Sequence, residues 1–145
     1  MIVATFVLFG TPDPDLNVYD NILFPLELDG RQVDKKFIRE LMAVLNISNK
    51  KEMLPSMLSG GEQQRVAIAR ALGTKPSIIL ADEPTGNLDT MASHDVIGLL
   101  KILAKQYQQT IILITHDGDI AQMADRIVRI EDGKIRKGSE SYAGK

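Results

Sequence analysis

Two short runs constrain this chain more than anything else in it. Ser77-Ile78-Ile79-Leu80-Ala81 and Ile111-Ile112-Leu113-Ile114-Thr115 show no alternation of polar and apolar residues. A strand with one wet face alternates, whereas a strand buried on both faces reads as a continuous apolar run, as in parallel sheets. Between the two runs, Val96, Leu99, Leu100 and Leu103 recur at helical spacing and predict a helix over Asp95–Tyr107. Parallel strands require a crossover of this kind. The pattern therefore predicts an α/β fold built on a mainly parallel sheet.

The remaining segments fit this frame. Ile2–Phe9, rich in β-branched and aromatic residues, reads as a further strand. The apolar stretch Met1–Phe9 is far short of the roughly 20 residues of a membrane span. No Lys or Arg precedes Arg31, which argues against a secretory signal. Thr11–Asp15 holds two prolines and reads as a loop. Asp34–Leu45 predicts an amphipathic helix with Phe37, Ile38, Leu41, Val44 and Leu45 on its apolar face. Asn49–Met57 reads as a loop. Gly60–Leu72 predicts a helix with Ser59 as its N-cap and Gly73 as its stop. A short helix is expected over Asp119–Ala124. Arg126–Ile130 and Lys134–Lys137 flank Asp132-Gly133, a two-residue hairpin signal. The polar tail Gly138–Lys145 is expected to fray.

Composition narrows the function classes. With 145 residues, 44% of them hydrophobic and 25% charged, the chain suits one globular domain with its own core. A net charge of −2 offers no general attraction to nucleic acid or to an anionic membrane. The absence of cysteine excludes a disulfide framework, thiolate zinc sites and cysteine nucleophiles. A cytoplasmic protein is the expectation.

Three clusters carry chemistry. In Leu58-Ser59-Gly60-Gly61-Glu62, two glycines open a helix, where free N–H groups and the positive end of the dipole favour a phosphate. Ser59 with Glu62 also fits a capping box, and a cap is compatible with a helix that presents its amides. In Ile78–Pro84, an apolar strand ends in the carboxylates Asp82 and Glu83, whose side chains would point to opposite sides of the strand. Ligands of parallel sheets collect at such strand ends. One carboxylate suits Mg²⁺ held through water and the other a general base; alternatively the pair only caps the strand. His116 follows the second apolar run and could donate to a phosphate oxygen, or be an ordinary loop residue. His94 reads as a helix-surface residue.

Taken in order, the clusters resemble the ABC-type ATPases. Leu58–Leu72 looks like their signature motif, Ile78–Glu83 like the Walker B strand, Gly86-Asn87-Leu88-Asp89 like the D-loop, and His116 like the switch histidine. Asp82–Asp89, Ala124–Val128 and Asp132–Ile135 are similar to the branch that includes the macrolide-export and lipoprotein-release ATP-binding subunits. The resemblance covers Leu16–Lys137. It implies a partial P-loop NTPase (RecA-like) parallel sheet with a helical signature subdomain. The expected division is a divergent strand and loop over 1–15, a helical subdomain over 16–72, a core over 73–137 and a tail over 138–145. It also implies an ATP- and Mg²⁺-dependent subunit, lying on the inner face of the cell membrane when assembled. That subunit would pair head to tail with a second cassette, homo or hetero, and would dock on a transmembrane permease to drive export or release. Ser59, Gly60, Gly61 and Glu62 would face ATP held by the partner, and Asp89 would couple the two sites. Asp82 would support the metal, while Glu83 and His116 would be catalytic. No nucleic acid is implied.

The sequence departs from the family in two places. The pattern G-x-x-x-x-G-K-[ST] is absent upstream of Ser59, and the Gly-Lys pairs Gly133-Lys134 and Gly144-Lys145 lie downstream without a following Ser or Thr. Phe9-Gly10-Thr11-Pro12 stands where the family usually places a glutamine. The expectation is thus the C-terminal two-thirds of such an ATPase, binding Mg-ATP weakly or not at all by itself. The alternative is a non-catalytic interaction protein that retains the signature half-site. A DNA-repair ATPase shares a similar signature but needs long coiled coils, and no heptad run exists here.

Overall fold

A signature of strand and helix alternating in sequence becomes a parallel sheet in space. The computed structural model describes residues 6–8, 10–136 and 141–142. The chain divides into two compact units, the first ending at Ile114 and the second starting at Thr115.

In the first unit, β1 (Phe6–Leu8), β2 (Ile78–Asp82) and β3 (Thr110–Ile114) form a three-stranded parallel sheet in that order. Phe6 pairs with Ile78, and Ile78 with Thr110. The rest of the expected first strand, 2–5 and 9, lies outside the described residues. The helices are α1 (Val18–Leu28), α2 (Lys35–Val44), α3 (Gly60–Gly73) and α4 (Thr90–Gln106). Between α2 and α3, the stretch read as a loop holds two short 3₁₀ turns, Ser48–Lys50 and Pro55–Met57. The core gathers Val18, Ile22, Ile38, Leu41, Leu45, Val66, Ile68 and Leu72 from α1, α2 and α3, with Ile79, Val96, Leu100 and Leu103.

Several expectations are corrected here. Helix α1 lies in the expected helical subdomain over 16–72, in a stretch where the sequence pattern marks no single element, and it holds Pro25 inside it. Burial of Val18, Ile22, Leu23 and Leu26 outweighs the one lost hydrogen bond. Helix α4 begins at Thr90 rather than Asp95, since Asp89 caps it by accepting from the Ala92 N–H at 2.8 Å. Its buried stripe runs through Ser93, Val96, Ile97, Leu100 and Leu103, with Leu99 only half-buried. On α2, Ile38, Leu41 and Leu45 are buried as expected, but Met42 joins them and Val44 is exposed.

Gly73 does not stop α3. It is the last helical residue, and the left-handed position falls to Lys75 at φ 52°. A Cβ on Gly73 would stand 3.1 Å from Ile38 Cδ1, so its use is close approach of α3 to α2.

The sheet is also barer than a doubly covered one. Ile79 and Ala81 are buried, but Ile78 and Leu80 are half-exposed. On β3, Ile112 and Ile114 are 48% and 58% exposed. Paired residues of parallel strands share a face. One face of the sheet is therefore covered, while the face of Leu80, Asp82, Ile112 and Ile114 stands open among the described residues.

The second unit holds α5 (Gly118–Gln122), β4 (Arg126–Ile127), β5 (Ile130–Glu131), β6 (Lys134–Ile135) and β7 (Ser141–Tyr142). The expected hairpin forms between β5 and β6, with Asp132 and Gly133 both at positive φ, 50° and 72°. The expected single strand Arg126–Ile130 is split, because Arg126 and Ile127 pair instead with Tyr142 and Ser141 of the tail. Helix α5 starts one residue early, at Gly118, and stops at Gln122, with Asp117 capping Asp119 and Ile120.

Candidate functional site

The start of α3 is built by its own caps. Ser59 N–H donates to Glu62 Oε2 at 2.8 Å, and Glu62 N–H donates to Ser59 Oγ at 3.2 Å. This reciprocal pair is the capping box read from the sequence. The Gln63 side chain donates to the carbonyls of Pro55 (3.0 Å) and Leu58 (3.3 Å), which fixes the turn leading into Ser59. Lys50 Nζ lies 3.2 Å from Glu62 Oε1. The Ser59 N–H and the Lys50 ammonium together hold the Glu62 carboxyl below its ordinary value of 4.5.

The caps leave the first amides available. The N–H groups of Gly60 and Gly61 have no acceptor within the helix, and they sit at the positive end of a 14-residue helix. Their glycines let the neighbouring segment close in. A Cβ on Gly60 would stand 3.1 Å from Leu88 Cδ2, and one on Gly61 would stand 3.7 Å from Ala92 Cβ. The helix start thus rests on the 87–92 segment, where Asp89 caps α4.

The carboxylate pair departs from the expected geometry. Strand β2 ends at Asp82, which is exposed, and Glu83 takes a left-handed backbone at φ 44°. Its N–H donates to the Ile114 carbonyl at 2.9 Å, so the ends of β2 and β3 are tied at this residue. Side-chain alternation along the strand therefore stops at Asp82 and does not orient Glu83. The turn continues through Gly86 N–H to Glu83 O (3.1 Å) and Leu88 N–H to Thr85 O (3.0 Å).

These elements enclose a cleft of about 170 Å³ bounded by Gly10, Thr11, Gly60, Gln64, Asp82 and Glu83. Small-molecule pockets run to roughly 300–1,000 Å³, so the cleft has room for a phosphate group and waters but not a whole nucleotide. The donor set fits an anion at Gly60-Gly61 and a hard cation at Asp82 and Glu83. Among the described residues no group of three or more metal-ligating side chains assembles. A cation there would need waters or phosphate oxygens to complete its shell, as Mg²⁺ commonly does.

Ser59, Gly60, Gly61, Glu62, Asp82, Glu83 and Asp89 all belong to the first unit, and Gly60, Asp82 and Glu83 line one cleft. His116 follows β3 as the second residue of the second unit.

Two contributors escaped the sequence reading. Arg70 of α3 donates to the Gly10 carbonyl (2.8 Å) and the Thr11 carbonyl (3.3 Å), holding the cleft's wall to the signature helix. Burial lowers its guanidinium pKa from the ordinary value. Asn21, 1% exposed, accepts from the Asp13 N–H at 2.7 Å and donates to the carbonyls of Asp13, Leu16 and Asn17. It pins the loop that follows Thr11. Neither residue stands in a motif, so only tertiary contacts reveal them.

Comparison with known proteins places these features. The family model described as ABC transporter matches residues 3–86. The macrolide export ATP-binding/permease protein MacB of Syntrophobacter fumaroxidans is 45% identical over 130 residues, 87% of this chain and 18% of that protein. The lipoprotein-releasing system ATP-binding protein LolD 1 of Rhodopseudomonas palustris is 42% identical over 119 residues, 80% of this chain and 53% of that protein. A dimeric structure of the ATP-binding cassette MJ0796, in a post-hydrolysis state bound to ADP and Pi, matches with a TM-score of 0.75 and 32% identity. It covers 97% of this chain and 63% of the cassette. The chain thus spans only part of the length of each of these three proteins. The α/β cassette-like fold expected from the sequence is the fold observed.

Proposed function

The chain belongs to the ATP-binding component family of ABC transporters, and we propose that it supplies the signature and Walker B elements of a cassette that hydrolyses ATP. The cassette would power export or release of a substrate through a membrane permease. The observation that carries this reading is the juxtaposition at one cleft of the Gly60 helix start and the Asp82-Glu83 strand end.

In this reading, Ser59, Gly60 and Gly61 present a hydroxyl and backbone amides to the γ-phosphate of ATP bound by a partner cassette, and Glu62 holds that presentation in place. Bound Mg²⁺ would neutralise charge on the triphosphate, with Asp82 as its protein carboxylate. Glu83 accepts the proton of the attacking water. His116 donates a hydrogen bond to the transferred phosphoryl group, and Asp89 links the two sites of a pair. Phosphoryl transfer of this kind depends on positioning and charge neutralisation more than on covalent chemistry. Head-to-tail pairing, a permease partner and a place on the cytoplasmic face of a membrane belong to the same proposal. No described helix is long and apolar enough to cross a membrane.

These 145 residues contain no G-x-x-x-x-G-K-[ST]. We therefore propose that they do not hold Mg-ATP tightly by themselves, and that the signature half-site acts on nucleotide held elsewhere. The same absence favours a second reading, a non-catalytic partner that completes a site without turning over. Steady-state ATPase assays on a full-length relative, with and without this chain and its Glu83→Gln variant, separate the two. Stimulation by the native chain and not by the variant supports catalysis. Equal effects of both support the non-catalytic reading, and no effect of either contradicts both.

A further inference from the structure

Glu62 puts a negative charge where the proposed function needs room for another. As the third residue of α3, its carboxylate already draws on the positive end of the helix. A phosphate at the Gly60 and Gly61 amides would draw on the same end, and two like charges so placed oppose each other. A cation stands ready to balance the first. Lys50 Nζ lies 3.2 Å from Glu62 Oε1, while Glu62 Oε2 accepts the Ser59 N–H at 2.8 Å. The Lys50 and Glu62 side chains are 27% and 28% exposed, whereas those of Lys51 and Glu52, 3.8 Å apart, stand mostly in solvent. Shielding from water and salt makes the Lys50–Glu62 pair the stronger of the two.

The backbone holds Lys50 in place. It ends the 3₁₀ turn Ser48–Lys50, which follows the buried Ile47. Its N–H donates to the Ile47 carbonyl at 3.0 Å, and its carbonyl accepts from the Met53 N–H at 2.9 Å. The same turn receives the first amides of α1. Tyr19 N–H donates to Lys51 O and Val18 N–H to Met53 O, each at 2.9 Å. All of these are main-chain bonds, so the turn does not depend on the side chain at position 50. What that side chain supplies is the bond to Glu62.

We infer that Lys50 is a positioning residue for the signature half-site. Its ammonium fixes the Glu62 carboxylate on the Ser59 N–H and cancels that carboxylate's charge beside the phosphate-facing amides of Gly60 and Gly61. The inference rests on the functional reading above and adds a residue which that reading leaves out. Lys50 acts through Glu62 and does not itself touch the phosphate.

Two measurements on Lys50→Gln and Lys50→Arg test it, at a temperature where circular dichroism shows each chain folded. The first needs no nucleotide. Hydrogen exchange of the Ser59 amide in the 145-residue chain should speed up about 3-fold in Lys50→Gln and stay near native in Lys50→Arg. The second is stimulation of a full-length relative's ATPase by added chain. Lys50→Gln should cut the stimulation at least about 3-fold, and Lys50→Arg should restore it. In a Glu62→Gln background, the Lys50→Gln change should matter less than about 2-fold, because the charge to be cancelled is gone. Native exchange at Ser59 in Lys50→Gln, or stimulation undiminished by that change, would overturn the inference and leave the functional reading standing. So would an equal loss in both Glu62 backgrounds, the mark of a lysine that only supports the turn. Failure of the native chain itself to stimulate would overturn the functional reading and this inference with it.

Discussion

Gly60, the first residue of α3, approaches Leu88 so closely that a Cβ on it would stand 3.1 Å from Leu88 Cδ2. Leu88 meets it with the flexible end of a side chain, which can give way by a few tenths of an ångström. Alanine is also the better helix former by up to about 1 kcal/mol. Gly60→Ala should therefore change stability by less than about 1 kcal/mol in either direction. Its effect should fall on function, because the added methyl occupies the approach to the helix amides. Thermal unfolding and stimulation of a full-length relative's ATPase, measured on the same preparation, check the split. An unchanged melting temperature with lost stimulation is expected.

The capping box supports the same helix start through charge. Ser59→Ala should cost about 1 kcal/mol, the usual loss for an N-cap. The Glu62 carboxyl is lowered below 4.5 in the folded chain, so it binds its proton less readily folded than unfolded. Its stabilising contribution is complete above 4.5 and is lost as the pH falls through the folded value. Glu62→Gln keeps the cap geometry but removes the charge. Urea unfolding should show the native chain more stable than the variant at neutral pH, with the difference vanishing in acid.

Glu83 stands at φ 44°, with its N–H on Ile114 O, and a glutamine can keep both the side-chain shape and this backbone bond. Glu83→Gln should leave secondary structure unchanged. In a completed cassette it should abolish hydrolysis and leave nucleotide binding intact. Equilibrium binding of Mg-ATP and phosphate release, measured in parallel, distinguish those outcomes.

Asn21 serves four backbone groups from a position 1% exposed. Asn21→Ala leaves several of them unpaired and should destabilise by about 2–3 kcal/mol. The denaturant midpoint should fall while its slope stays the same.

What the sequence discloses follows from where the relevant forces act. The capping box of Ser59 and Glu62, the I′ hairpin at Asp132-Gly133 and the runs that become β2 and β3 are local patterns, and each appears within one residue of where the residues alone place it. Helix α1 holds Pro25, whose local cost is outweighed by burial of Val18, Ile22 and Leu26 in the core, a balance no local pattern displays. The left-handed turn at Glu83 was invisible because no glycine marks it. Arg70 and Asn21 act over distant or irregular contacts that no spacing rule reports. The candidate residues of the first unit were legible as motifs, but the cleft joining Gly60 to Asp82 and Glu83 is a tertiary fact.

The central claim is that this chain carries one half of a phosphate-handling site and needs nucleotide held elsewhere. Calorimetric titration of the purified 145-residue protein with Mg-ATP, followed by a turnover assay on the same sample, tests it most directly. No binding in the micromolar range and no steady release of phosphate are expected. Micromolar affinity with sustained turnover by the chain alone would contradict it.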